Sequence, residues 1–408
     1  MKFVDDARGF CYTNFTKMVK AVLIMKNDIL IQNITHQQIE IQITDELLRL
    51  LETIPALSNV DVYKSSYYKS NYYSSSSHNS SNFNSSDYIH DIEAHAEIDW
   101  DSSLNIICEV KTKAEPKHIR NAAHKLLEYK QRLQDETNRK YYCMIAAPYI
   151  SQRAGKICEE LGVGYIDLSG NCILIYKSLY VRVEGRPNKY GEKRGSKSIF
   201  ERSSVKSSII LRHLFKDLEK TWRIQELADA ASTSIGQVAK VKKFLEEREF
   251  IKGYKSGFSI DKPKEILAEW AKAYNAKLNT VFECYSIDNV PQIEQKLARL
   301  KEEKDIESVL TGFAGGARYS PTVRYNKIHA YVELQDFDEV IFSLGLKKVT
   351  SGSNISIIIP YDPCVLSDAR NINKSFVASP VQVYLDLMGL KGRGEEAAIA
   401  VLEKEIIQ

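Results

Sequence analysis

The first regular pattern along the chain is helical. Leu47, Leu48, Leu51 and Ile54 recur on one face, Thr44 stands where a cap belongs and Pro55 follows as a stop, which predicts a helix over 45–53. A short strand is expected at 60–63. Residues 64–88 are then almost entirely Ser, Tyr and Asn, too poor in aliphatic side chains to bury, and read as a disordered insertion in a loop. From Ile89 the period changes to two, with strands predicted at 91–99 and 104–111 around the turn Asp101-Ser102-Ser103. A helix over 116–134, a strand over 141–147, a helix over 151–161 and a hairpin-like pair within 163–183 complete an α/β domain spanning 1–184.

The segment 185–202 contains Pro187 and is rich in Gly, Lys and Arg, so it reads as a basic linker. Helical spacing returns at Val205–Leu218, where Ile209, Ile210, Leu214 and Leu218 face inward. A short helix over 225–231 and the turn Ser232-Thr233 follow. Ser234 can cap a third helix running to about Arg248, with Gln237 as its reciprocal capping partner. Two short β segments, 251–254 and 258–260, are joined through Lys255-Ser256-Gly257. Three helices and a small hairpin make a winged helix-turn-helix over 203–268.

At 408 residues the chain is long enough for two or three domains. Its 44% hydrophobic and 27% charged content is that of a globular protein. No apolar run approaches the roughly 18 residues that cross a bilayer. The N-terminus carries no hydrophobic block ahead of a cleavage site, and the seven scattered cysteines never fall in C-x-x-C spacing. Reduced thiols and a cytoplasmic location are therefore expected, with no membrane partner. The net charge of +3 is close to neutral, so any nucleic-acid surface must be a local patch.

Two patches qualify. On helix 235–248, Val238, Val241, Phe244 and Leu245 point inward, which leaves Ser234, Gln237, Lys240 and Lys243 to face duplex DNA. The wing adds Lys252 and Lys255. Such cationic contacts give affinity for phosphates without reading sequence. The other patch is acidic. Along strand 91–99 the side chains of Asp91, Glu93, His95, Glu97 and Asp99 share one side, and Glu109 and Lys111 share it on the next strand. A turn centred on Ser102 would set Glu109 opposite His95. Carboxylates so close repel unless a cation lies between them, and oxygen ligands suit Mg²⁺. The candidate metal ligands are Glu97, Asp99 and Glu109, with Lys111 completing a candidate catalytic group.

The Glu109-Val110-Lys111 tripeptide, the acids before it and the helix KHIRNAAHKLLEYK after it resemble the PD-(D/E)XK nuclease superfamily over about 44–184. That resemblance implies a restriction-endonuclease-like α/β domain and a metal-dependent DNA endonuclease. No Pro-Asp precedes the hairpin, so the first acid stays open between Glu97 and Asp99. Lys125 stands where some members carry a glutamine, four residues before Tyr129.

Further on, a glycine-rich strand-to-helix turn at 309–317 could cradle phosphate, but it lacks the P-loop pattern and no Asp-x-Asp pair follows. Tight helix–strand packing is the favoured reading there. The stretches WRIQELADAASTSIGQVAKVKKFLEEREFI, SVLTGFAGGARYSP and SPVQVYLDLMGLKGRGEEAA resemble the AbiEi-type antitoxin and transcriptional-regulator family of type IV toxin–antitoxin systems over about 203–408. The resemblance implies a DNA-binding repressor whose C-terminal α+β domain, 269–408, looks like a degenerate nucleotidyltransferase-like fold and counters or senses a partner, a toxin or nucleotidyltransferase-like protein. Pairing of winged helices on a palindrome makes a homodimer the prior expectation. The expected architecture is thus multidomain α/β and α+β, and the chain is either a regulator or a nuclease steered by its winged helix.

Overall fold

The computed structural model describes residues 35–65, 90–99, 102–190, 199–200 and 205–407. Nearly all of the serine-rich stretch 64–88, more than half of the basic segment 185–202 and Asp101 of the expected turn lie outside them. The chain divides into two compact units, Met1–Ser196 and Lys197–Gln408. The expected segments 203–268 and 269–408 fall in the same unit. Among the described residues no helix is long and apolar enough to cross a membrane.

The first unit opens on helix α1 (His36–Glu52), which begins earlier than the Thr44 cap suggests. Thr35 and Gln38 form a capping box at its start, and Thr44 sits mid-helix, donating to the Glu40 carbonyl at 2.7 Å. Ile39, Ile43, Leu47 and Leu51 make the buried face. Strands β1 (Ser58–Lys64), β2 (Ile92–Asp99), β3 (Ser102–Val110), β4 (Tyr141–Ala147), β5 (Gly164–Asp167), β6 (Cys172–Tyr176) and β7 (Leu179–Val183) form a sheet in chain order. Its centre is parallel (β3–β4–β5) and its flanks antiparallel. Helix α1 packs against Ile92, Ala94, Ile106 and Cys108 on one face. Helices α2 (Pro116–Thr137) and α3 (Gln152–Glu160) cover the other through Ile119, Leu126 and Ile157. The parallel centre is apolar on both faces because it is covered on both.

In the second unit, α4 (Val205–Lys216), α5 (Ile224–Ala230) and α6 (Ile235–Glu247) precede strands β8 (Ile251–Tyr254) and β9 (Gly257–Ile260). Trp222 exchanges both backbone hydrogen bonds with Phe258, at 2.8 and 3.0 Å, which ties the α4–α5 link to the hairpin. A Cβ at Gly257 would lie 2.2 Å from the Trp222 carbonyl oxygen, so only glycine permits this approach. After α7 (Pro263–Ala273) comes a mixed sheet of β10 (Thr280–Tyr285), β11 (Val309–Thr311), β12 (Ile328–Tyr331), β13 (Lys347–Lys348), β14 (Ile355–Ile359), β15 (Arg370–Ile372) and β16 (Ser375–Val377). Its order is β13-β10-β14-β12-β11-β16-β15. Helices α8 (Val290–Lys304) and α10 (Phe337–Ser343) bury one face through Leu297, Leu300 and Val340. Helices α9 (Gly312–Tyr319), α12 (Pro380–Met388) and α13 (Gly394–Val401) pack together in the other core, which also contains α4–α6 and the short α11 (Cys364–Ser367).

A polar network ties these parts together. Arg212 of α4 is 5% exposed, and its guanidinium donates to the side-chain oxygen of Gln382 on α12 at 2.5 Å. The amide nitrogen of Gln382 in turn donates to Asp386 at 2.9 Å and to the Tyr274 and Tyr331 hydroxyls at 2.9 and 3.0 Å. Asp386 also accepts from Tyr274 and Thr311. Replacing Gln382 by Leu would leave both a buried guanidinium and a buried carboxyl short of a partner. The expected loss is about 3 kcal/mol, measured as a lower urea midpoint at unchanged m-value.

Candidate functional site

Helix α6 has Ser234 as its N-cap, whose hydroxyl accepts from the Gln237 backbone N–H at 3.2 Å. The reciprocal half of the expected capping box does not form. The Gln237 side chain donates instead to the Ser207 hydroxyl on α4 at 2.9 Å, because α4 packs close enough to compete for it. Val238, Val241 and Leu245 are buried, and Phe244 is half-buried against Phe200. Lys240 is exposed, and Lys243, with 77% of its side chain exposed, reaches Glu247 only at 3.9 Å. On the hairpin, Lys252 pairs with Asp261 at 2.5 Å, while Lys255 is exposed at the turn. The solvent face of α6 and the hairpin tip thus carry the cations that the sequence assigns there. Exposed Ile235 and Tyr254 stand among them and were not expected.

The acidic hairpin is rearranged relative to expectation. His95 lies opposite Asn105 and Glu97 opposite Ser103, so Glu109 is level with Asp91 and not with His95. The strands pair up to Asp99 and Ser102, with an irregularity between Glu97 and Asp99, and this short connection moves the register by four residues. Glu97 is exposed and accepts from the Asn59 amide at 2.7 Å, away from the Glu109 end of the hairpin. Asp99 closes β2 opposite Ser102, at that same far end. Of the four residues singled out as catalytic, the structure brings together Glu109 and Lys111, which form an ion pair, and leaves Glu97 and Asp99 apart from them.

Asp91, His36 and Glu40 lie at the Glu109 end of the hairpin instead. Asp91 precedes β2 and accepts from the Val110 backbone N–H at 2.7 Å. Burial pushes its carboxyl above the ordinary value, the Val110 bond opposes this, and Glu109 adds to it. His36 and Glu40 stand one turn apart at the start of α1, joined at 2.6 Å, and the His36 Nε2 lies 3.1 Å from the Val110 carbonyl oxygen. One ligand atom each from His36, Glu40 and Asp91 lies within 4.8 Å of the others, a spacing that a metal ion could bridge. Lys64 bonds the second Glu40 oxygen at 3.0 Å. Glu109 is 6% exposed. Two carboxylates from neighbouring strands, one from α1 and an imidazole therefore meet where β3 ends. The sequence signal for the α1 pair was the i, i+4 spacing of His36 and Glu40 behind the Thr35–Gln38 box.

The glycine-rich turn at 309–317 joins β11 to α9. Gly312 has φ of +55°, and a Cβ there would sit 3.2 Å from His329 Nδ1 and 3.2 Å from Leu390 Cδ1. Gly315 and Gly316 face Val383 and Leu387 of α12 at comparably short range. Close packing explains these glycines. Thr311 is the N-cap of α9, yet its hydroxyl caps nothing and donates to Asp386. Behind it His329 of β12 has Nδ1 buried with no partner, and burial, helped by Lys327, drives its imidazole down to about 4.

With these three arrangements in view, the similarity to known proteins can be placed on the chain. Residues 259–407 match the family model of the AbiEi antitoxin, a transcriptional regulator of type IV toxin–antitoxin systems. No curated protein and no solved structure matches the chain. The AbiEi match begins inside β9 and covers the mixed sheet, the glycine turn and helices α12 and α13; the acidic cluster and helix α6 lie outside it.

His329 makes the AbiEi-matching part acid-sensitive. Its folded value lies below the ordinary 6.5, so the stability that it contributes is present above that value and lost as pH falls towards 4. Between those limits the loss is on the order of 3 kcal/mol. Urea unfolding across this range should show a steeper acid limb for the native chain than for His329→Leu. Superimposable limbs would remove His329 from the account.

Proposed function

We propose that the chain is a DNA-binding transcriptional regulator of the AbiEi antitoxin type, with residues 205–260 acting as a winged helix on duplex DNA. The observation that carries this reading is the AbiEi match over 259–407 joined, in one compact unit, to three helices and a hairpin whose solvent face presents Lys240, Lys243 and Lys255. Helix α6 would enter the major groove, with the β8–β9 hairpin following the backbone. Ser234 and Lys240 remain available to the duplex, whereas Gln237 and Lys252 must first leave Ser207 and Asp261. A nucleotidyltransferase-like toxin is the protein partner this reading supplies, and two copies of the chain on a palindromic site complete it.

The Lys240→Ala, Lys243→Ala double variant should lose affinity for duplex DNA about equally on all sequences. Its slope of log affinity against log salt should flatten by about one to two units. Electrophoretic mobility shifts at several salt concentrations give both numbers, and an unchanged slope would take α6 out of the interface.

A second reading has its own observation. The convergence of His36, Glu40 and Asp91 with Glu109 and Lys111 supports a Mg²⁺-dependent DNA endonuclease in the first unit. Asp91, Glu40 and Glu109 provide the hard oxygens that Mg²⁺ prefers, and they fit such an ion better than the originally expected Glu97 and Asp99. A bound ion would polarise a phosphate and lower the pKa of an attacking water. Lys111 would neutralise charge developing beside it. Plasmid DNA incubated with the protein and Mg²⁺ or Mn²⁺ should be nicked or linearised, and Asp91→Ala or Lys111→Ala should slow this by at least about a hundredfold. Intact plasmid with every metal would eliminate the nuclease and leave the regulator.

A further inference from the structure

The mixed sheet of the second unit buries one face under α8 and α10, but its other face is only partly covered. Val281 there is 45% exposed. Between the uncovered strands and the loop after α12 lies a hollow of about 220 Å³. Val281, Ile358 and Leu390 give it an apolar wall, and His329, Thr311 and Glu283 give it a polar one. We propose that this hollow is a binding site for an uncharged heteroaromatic molecule about the size of a nucleoside, with its ring on the apolar wall and its acceptor atoms towards the start of α9.

Three observations support the site. First, the N-terminus of α9 opens at Gly312 without a side-chain cap, because the Thr311 hydroxyl is spent on Asp386. Its first-turn N–H groups need acceptors from elsewhere. Second, His329 makes no hydrogen bond among the described residues, and it borders the hollow as a neutral imidazole. With Nδ1 sealed under Gly312, exchange with an occupant falls to Nε2. Third, among the described residues the hollow offers an anion no free cation. Lys327 is held by Glu283 at 2.6 Å, and Asp386 is buried and bonded by four donors. A phosphate would lose its water there without gaining a counter-charge, whereas an uncharged ring system gains apolar contact and hydrogen bonds. A volume of about 220 Å³ suits one nucleoside.

The proposal stands apart from the DNA-binding reading and survives its failure. Even so, Asp386 borders the hollow and reaches Arg212 of α4 through Gln382, so an occupant would sit at the end of that buried path.

Calorimetric titration of the full chain with adenosine, guanosine, cytidine and uridine, each beside its 5′-monophosphate, tests it. The expected result is saturable one-site binding of at least one nucleoside, about tenfold tighter than its monophosphate. Val281→Glu places a charge on the apolar wall at an exposed position that the fold tolerates, and should weaken binding by about tenfold or more. Glu302→Ala, exposed on α8 at the opposite face of the sheet, should bind as the native chain does. Absence of binding by all four nucleosides, a monophosphate that binds as tightly, or unchanged binding by a folded Val281→Glu protein would each overturn the proposal.

Discussion

The buried guanidinium of Arg212 constrains the second unit more than any other single group. A permanent charge at 5% exposure must be answered from within the protein. Here the answer comes from Gln382, 170 positions away, with Ser208 and Ser379 at longer range and the Trp270 ring 5.7 Å from the charge. Gln382 can serve Arg212 only with its oxygen turned that way. Its nitrogen is then aimed at Asp386, Tyr274 and Tyr331. One amide orientation therefore fixes α4 against α12, and α12 against the sheet. Helix α4 and the AbiEi-matching sheet are consequently one cooperative body, joined by polar groups whose separation would cost several kcal/mol.

The first unit handles buried charge in a different way. At the end of β3, Asp91 and Glu109 lie level on neighbouring strands, and what offsets them is local: Lys111 for Glu109, a backbone N–H for Asp91, and Lys64 for the adjoining Glu40. Carboxylates held this close keep an electrostatic debt that a divalent cation would relieve. Around Asp386 four donors converge on one carboxyl, yet burial still holds it above the ordinary value. The contrast is between a shared network that holds a helix in place and carboxylates that are each matched by a local partner.

What the sequence made legible follows the range of the interactions involved. Periodicity placed β4 at 141–147 to the residue and put the start of α2 at Pro116, because burial patterns are local. Ser234 was readable as a cap for the same reason. The hairpin register was not, since it depends on how tightly β2 turns into β3, and a difference of four residues exchanged His95 for Asp91 as the residue level with Glu109. Helix α1 was truncated because Thr44 resembles a cap in isolation, whereas the capping box at Thr35 lies nine residues upstream. Nothing local to Arg212 or Gln382 announces their partnership.

The three candidate sites also differ in how their environments would answer salt and acid. The lysines of α6 are exposed, so their attraction for phosphate is screened by ions and falls within a Debye length. The cluster at His36, Glu40 and Asp91 is half-buried, and its affinity for a cation would depend on Asp91 losing a proton that burial encourages it to keep. The hollow beside His329 contains no uncompensated cation, so its preference rests on shape and hydrogen bonding and is nearly independent of salt. A solution that suppresses DNA contact through ionic strength would therefore leave the hollow competent. Acid would act in the opposite way, protonating Asp91 and His329 while leaving the lysines charged.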